Sequence, residues 1–311
     1  MNMKTVYLNK FMSSVVAELE MNGQYGTAHV CGSVLRSVMA FDGEGLPVSG
    51  ITPLWLKAYE GYLLHKGGKG LAWNTVSTYM RMLQAVYNRA VVRKLAAFIP
   101  HQFRDVFTGR KADHRRVLER DDMQKLLLDR EPDITSPGMA WARACLELMF
   151  RFHGMPFVDL AHLRKSDLKD GYLTLRRRKT GMPLSARVDG RAMQLLERYR
   201  NRDDTSPYLL CFLDGNLEGM AAYRDYQRIL RLLNSRLRAL ALWKKVQGKV
   251  TSYSARHTWA TVGRYCHIPI EVISEGLGHA SVTTTEGYMK GFGNSRMDRA
   301  NKVIMNYIFK G

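Results

Sequence analysis

Two stretches near the C-terminus decide how this chain reads: SARHTWAT at residues 254–261 and GLGHASVTTTEGY at residues 276–288. The first opens a helical pattern with Arg256 and His257. The second closes another helix with Leu277, Gly278 and His279, and a Ser/Thr-rich run from Ser281 to Thr285 then leads to Tyr288. His279 stands 23 residues after Arg256 and nine before Tyr288. Singly, each residue has an ordinary structural explanation: an arginine pairs with an acid, a histidine ends a helix, and a tyrosine, one of 15, packs. Together, in this order, they supply a guanidinium fork, an imidazole and a phenol.

Upstream of that set, apolar residues recur at helical spacing in three places. These are residues 8–22 (Phe11, Val15, Val16, Leu19), 53–65 (Leu54, Trp55, Ala58, Tyr59, Tyr62) and 74–92 (Val76, Tyr79, Met80, Leu83, Val86, Tyr87, Ala90). Thr52 before Pro53 offers a capping hydroxyl and a proline at the first helical position. Residues 1–108 therefore read as a helical bundle. Residues 109–116 lose the periodicity and gather Arg110, Lys111, His114, Arg115 and Arg116. They form an interdomain linker whose Lys111, Arg115 and Arg116 either cross a phosphate backbone or are simply solvated.

From 117 to 311 helical patterns return at 120–129 and 138–152, then change character at Gly171. Tyr172 to Leu175 and Leu184 to Val188 read as strands joined by a turn at Thr180 and Gly181. Helices follow at 189–200, 221–243, 254–266, 269–276 and 296–309. Tyr223, Tyr226, Ile229, Leu230, Leu233 and Leu237 make a core stripe. Arg224, Arg228, Arg231, Arg236 and Arg238 on the same helix face either DNA or water. The expected fold class is mostly α with a small β-sheet, an α+β protein of two domains.

A hydrophobic share of 46% is that of a globular chain rather than a disordered one. The 47 Lys and Arg against 28 Asp and Glu leave a net charge of +19, which attracts polyanions. Double-stranded DNA is the leading partner. No run of 18 apolar residues and no charged leader is present, so a cytoplasmic protein without a membrane partner is expected. Cys31, Cys145, Cys211 and Cys266 form no Cys-x-x-Cys pair; they read as buried small hydrophobes, with neither a metal site nor a disulfide framework.

A guanidinium that neutralises phosphate oxygens, an imidazole that donates to developing charge and a phenol nucleophile are the parts of a metal-free attack on a phosphodiester. At this point the chain resembles the tyrosine recombinase (phage integrase) family. Its signature is a His-x-x-Arg-His box, a Leu-Gly-His box and a tyrosine nine residues beyond that histidine. The resemblance implies a SAM-like core-DNA-binding domain over 1–108 and a catalytic domain over 117–311, the two clamping DNA. It also makes Lys179, in the Lys179-Thr180-Gly181 turn, the general acid for the leaving 5′ oxygen. The residue-level alternative is that Lys179 joins Arg176, Arg177 and Arg178 in gripping DNA phosphates.

Two positions depart from the family pattern. Pro156 stands where the first catalytic arginine belongs, although Asp159 and Leu160 still align, and Tyr253 replaces the histidine three residues before Arg256. In this the chain is similar to integrases of bacterial mobile elements that lack that arginine. Tyr253 keeps a hydroxyl but is no base near neutral pH. Arg151, three residues before Gly154, is the expected substitute cation, ahead of Arg143 and Arg164. His257 is assigned to structure, since adjacent helical residues point about 100° apart.

The resemblance implies four protomers on paired recombination sites, a 3′-phosphotyrosyl bond at Tyr288 and a Holliday junction, with no cofactor, ATP or metal. It also implies that the apolar face Met297, Ala300, Val303, Ile304, Tyr307 and Ile308 docks on a neighbouring protomer. The alternatives are a type IB topoisomerase-like activity and a catalytically silent DNA-binding protein.

Overall fold

The computed structural model describes residues 5–111, 117–127, 136–279 and 281–286. It divides into two units, Met1–Ala112 with Glu218–Tyr223, and Asp113–Leu217 with Arg224–Gly311. Each has its own apolar core.

The first unit holds α1 (Leu8–Met21), α2 (Tyr25–Asp42), α3 (Pro53–His65) and α4 (Trp73–Val92). Thr52 caps α3 as expected, its Oγ1 accepting from Trp55 N at 3.2 Å. The buried face of α3 is rotated from the one read from the sequence, sharing Tyr59 with it and keeping Trp55 and Tyr62 partly packed on the core. Leu56, Tyr59, Glu60 and Leu63 point inward, whereas Leu54 is 82% exposed and Ala58 also faces solvent. Glu60 hid this face from a hydrophobicity count. Its carboxylate is satisfied by Lys57 Nζ at 2.7 Å and by Phe107 N at 2.7 Å, so it sits on the core side at little cost. Helix α2 was missed altogether. Its inward residues Ala28, Cys31, Val34, Ser37 and Val38 are mostly small, and no side chain caps its start.

In the second unit, α5 (Arg120–Leu127) precedes α6 (Pro137–Arg151), whose residues Ala142 to Met149 are all buried. After α7 (Phe157–Ala161) comes an antiparallel sheet of β1 (Leu168–Lys169), β2 (Tyr172–Arg176) and β3 (Pro183–Arg187), in the order β1-β2-β3. Leu173 pairs with Ala186 and Leu175 with Leu184, so one face of the sheet lies on the core. Helices α8 (Gly190–Arg198), α9 (Gly219–Trp243, of which residues 219–223 belong to the first unit), α10 (Ser254–Tyr265), α11 (Ile270–Leu277) and α12 (Val282–Glu286) follow. In α9, Ile229, Leu233 and Leu237 are buried as read, and the five arginines on it are exposed.

Two cysteines differ from expectation: Cys31 and Cys145 are buried, but Cys211 and Cys266 are exposed in loops between helices. Among the described residues no helix is long and apolar enough to cross a membrane.

Candidate active site

The site is built around Arg256, on the first turn of α10. Ser254 fixes the entry to that helix, its Oγ accepting from Thr251 N at 3.0 Å and donating to Lys249 O at 3.2 Å. Arg256 is 3% exposed, and a guanidinium that deep needs acceptors. Its Nη1 donates to Gly154 O at 3.0 Å and its Nη2 to Leu277 O at 2.7 Å. Both acceptors are neutral, so they hold the fork in place without cancelling its charge.

The imidazole is the third partner, with Arg256 Nη2 2.6 Å from His279 Nε2. A guanidinium can only donate, so Nε2 accepts and the ring proton lies on Nδ1, which donates to Thr285 Oγ1 at 2.8 Å. The sequence reading gave His279 a donor's role toward developing charge. In the structure its Nε2 accepts from Arg256 and braces that guanidinium. Burial, and then the charges of Arg256, Arg177 and Lys179, push the His279 pKa down to about 3, so the ring is neutral near pH 7.

Two glycines let these groups meet. Gly154, at φ +67°, follows His153 at φ +56°, and a Cβ on Gly154 would lie 2.9 Å from Arg256 Cα. Gly278 ends α11 at φ +61°, and a Cβ there would lie 2.9 Å from Arg177 Cδ. Side chains at either position would push the guanidinium groups away from their carbonyls. The His153 ring packs 5.6 Å from Trp259, and among the described residues its buried Nδ1 has no hydrogen-bond partner; burial lowers its pKa.

The second guanidinium at this point is Arg177, not Arg151. Arg177 is 5% exposed and donates through Nη1 to Leu277 O, the carbonyl that Arg256 also uses. Its Nε donates to Asp159 Oδ2 at 2.8 Å, and Asp159 Oδ1 accepts from Arg178 N at 2.9 Å. Arg177, read from the sequence as one of three hairpin arginines gripping DNA phosphates, is thus buried and paired with Asp159, unlike its two neighbours. Strand parity carried the signal: Arg177 is in phase with the inward Leu173 and Leu175, and Arg176 and Arg178 are out of phase. Arg176 and Arg178 are exposed, the former bonded through Nη1 to Gly181 O at 3.1 Å.

Arg151 is held by two carboxylates, Glu147 Oε1 at 2.9 Å and Asp189 Oδ2 at 2.6 Å, and the structure does not bring it to Arg256. A sequence that ends a helix with arginine shows no trace of acceptors four and 38 residues away. Lys179 is exposed at the hairpin turn, where its charge acts on His279. Tyr253 is half-exposed one helical turn before Arg256, its ring 6.2 Å from that of His257. Lys111, in the first unit, lies 4.3 Å from the Trp73 ring centroid, and Asn74 bonds its backbone N and O, each at 2.8 Å. Tyr288, Arg115, Arg116 and the C-terminal apolar face lie outside the described residues.

Residues 7–104 match the phage integrase SAM-like domain. Residues 116–292 match the phage integrase family. Tyrosine recombinase XerA from Pyrococcus furiosus is 29% identical over 140 residues, 44% of this chain and 46% of that protein, so the chain matches about half the length of this curated relative. Among solved structures, a lambda integrase dimer bound to a COC′ core site superposes with a TM-score of 0.65 at 18% identity, covering 93% of this chain and 97% of that one. The Tn1549 transposon integrase in complex with transposon right end DNA gives 0.65 at 16%, covering 98% and 100%. At these identities the likeness is one of fold. The family match spans more than half of the residues and takes in the whole Arg256–His279–Tyr288 set: this chain belongs to the phage integrase family.

Proposed function

We propose that this protein is a tyrosine-type, site-specific DNA recombinase. The observation that carries the reading is the buried Arg256, held by two carbonyls and a neutral imidazole and sharing the Leu277 carbonyl with Arg177. Such a pair of forks is suited to a phosphate with two non-bridging oxygens in a site that excludes water. In this reading Arg177 takes the role that the family gives to an arginine at position 156.

The chemistry follows from these groups. The Tyr288 phenol gives its proton to solvent water and its oxygen bonds to the scissile phosphorus, while the bond from phosphorus to the 5′ oxygen breaks. Lys179 gives that oxygen a proton. The product is a 3′-phosphotyrosyl bond and a free 5′ hydroxyl. Attack by the 5′ hydroxyl of a partner strand reverses the step and leaves a Holliday junction. Bond energy is conserved throughout, so no ATP is consumed. Four protomers act on two paired sites, and the exposed Arg176 and Arg178, with Lys111, Arg115 and Arg116, contribute phosphate contacts.

A nicked suicide substrate tests this reading. Wild-type protein should accumulate a covalent DNA adduct, and Tyr288→Phe should bind the same DNA within about twofold and form none. An adduct with Tyr288→Phe would give the nucleophile to another residue. Absence of any adduct with wild-type protein on the DNA flanking its own gene would favour a silent DNA-binding protein. Relaxation of supercoils without exchange of flanks would favour the topoisomerase-like activity.

A further inference from the structure

One buried hydroxyl beside Arg256 and His279 takes no part in the proposed chemistry. In the run from Ser281 to Thr285, Ser281, Thr283 and Thr284 are exposed, and the hydroxyls of Ser281 and Thr284 lie 3.3 Å from one another. Thr285 differs. It is 0% exposed on α12, and its Oγ1 stands 2.8 Å from His279 Nδ1. A buried hydroxyl is costly unless it is bonded, so this contact accounts for a polar side chain at a position that valine would fill. A carboxylate or a carbonyl in its place could only accept. A hydroxyl accepts or donates without moving its oxygen.

The far side of the imidazole gives that freedom a use. Arg256 Nη2 has two N–H groups, directed to Leu277 O at 2.7 Å and to His279 Nε2 at 2.6 Å. When an oxyanion takes the second of these, Nε2 loses its donor and faces an acceptor whose charge favours an N–H there. Burial, and then the charges of Arg256, Arg177 and Lys179, keep the ring neutral near pH 7. A neutral imidazole has one N–H, so a proton on Nε2 leaves Nδ1 bare and in need of a donor.

We propose that Thr285 is a positioning residue whose hydroxyl lets His279 exchange tautomers. At rest Nδ1–H donates to Thr285 Oγ1 while Nε2 accepts from Arg256. With an oxyanion against Arg256, the Thr285 hydroxyl donates to Nδ1 and Nε2–H donates to the oxyanion. The protons balance: Nδ1 gives one to solvent water and Nε2 takes one from it, at a ring that is partly exposed. The imidazole thereby keeps its place in both states, and a group that accepts at rest gains the donor's role toward developing charge. That this oxyanion is a scissile DNA phosphate rests on the recombinase reading; the exchange itself needs only an oxyanion.

Heteronuclear NMR of the histidine ring nitrogens tests this, with His279→Gln assigning the resonances among nine histidines. Free wild-type protein should carry the His279 proton on Nδ1. Saturating inorganic phosphate should move it to Nε2, as should a nicked duplex bound to Tyr288→Phe. Thr285→Ser keeps the hydroxyl and should reproduce both states and the wild-type cleavage rate. Thr285→Val fills the space but offers neither role. It should leave the backbone spectrum intact, lose the protected ring N–H resonance of His279, and cleave a nicked suicide substrate about 10-fold or more slowly. The same tautomer in the free, phosphate and DNA samples overturns the proposal, and so does an imidazolium in the bound states. A Thr285→Val protein that cleaves at the wild-type rate overturns it too. Should Thr285→Val fail to fold, the wild-type and Thr285→Ser tautomers still decide. Absence of any adduct with wild-type protein would instead sink the recombinase reading, and the phosphate-dependent tautomer would then decide the role of Thr285 by itself.

Discussion

At the level of single residues, the chemistry turns on where each cation is held. Arg151 is paired with Glu147 and Asp189 and is not brought to Arg256, whereas Arg177, itself paired with Asp159, stands beside Arg256 on one carbonyl. Arg177→Ala should therefore lower single-turnover cleavage about 100-fold or more, the loss expected for one transition-state donor, and Arg151→Ala should stay within a few-fold of wild type. Equal losses in both would return Arg151 to the site. His279 yields a second expectation, through its proton. Its folded pKa of about 3 lies below the usual 6.5 of an unfolded histidine, so between these values the unfolded chain binds the extra proton. Its contribution to stability is thus complete above about pH 6.5 and declines as pH falls toward 3. Urea midpoints at pH 8 and pH 5 should differ less for His279→Gln than for wild type. An unchanged difference would show that His279 is not the group titrating.

Among the elements, the turn between α6 and α7 and the end of α11 are the tightest. Gly154→Ala places a methyl 2.9 Å from Arg256 Cα at a left-handed backbone position, and should cost about 1–3 kcal/mol in chemical unfolding and abolish cleavage. A stable, active Gly154→Ala protein would show that this turn can move. Most elements were legible because their periodicity is strong: α1, α4, the hairpin and α9 lie where the apolar spacing puts them. The failures have physical causes. In α3 a satisfied Glu60 sits on the buried face, and α2 buries small residues that leave little pattern. In the site, Arg256 and His279 could be found by spacing. Arg177 could be found only by counting strand parity through Leu173 and Leu175, and its partner Leu277 is a backbone oxygen that no side-chain motif records.

For the whole molecule the governing quantity is its charge of +19. If six to ten phosphates are contacted, affinity for duplex DNA should fall about 10³- to 10⁵-fold between 50 and 200 mM salt, which a filter-binding titration reads directly. A shallow dependence would mean that most of the basic side chains face away from the ligand. The hydrogen bonds that hold the site reach across the chain as well. Arg177 meets the carbonyl of Leu277 exactly one hundred positions later, and Arg256 meets that of Gly154, 102 positions earlier. This has a consequence during synthesis. A ribosome that has reached residue 260 has already released most of the basic side chains, yet neither the oxygen of Leu277 nor the imidazole of His279 exists to hold them in place. The nascent chain is thus already a polycation before the Leu277 and His279 contacts that brace Arg256 can form.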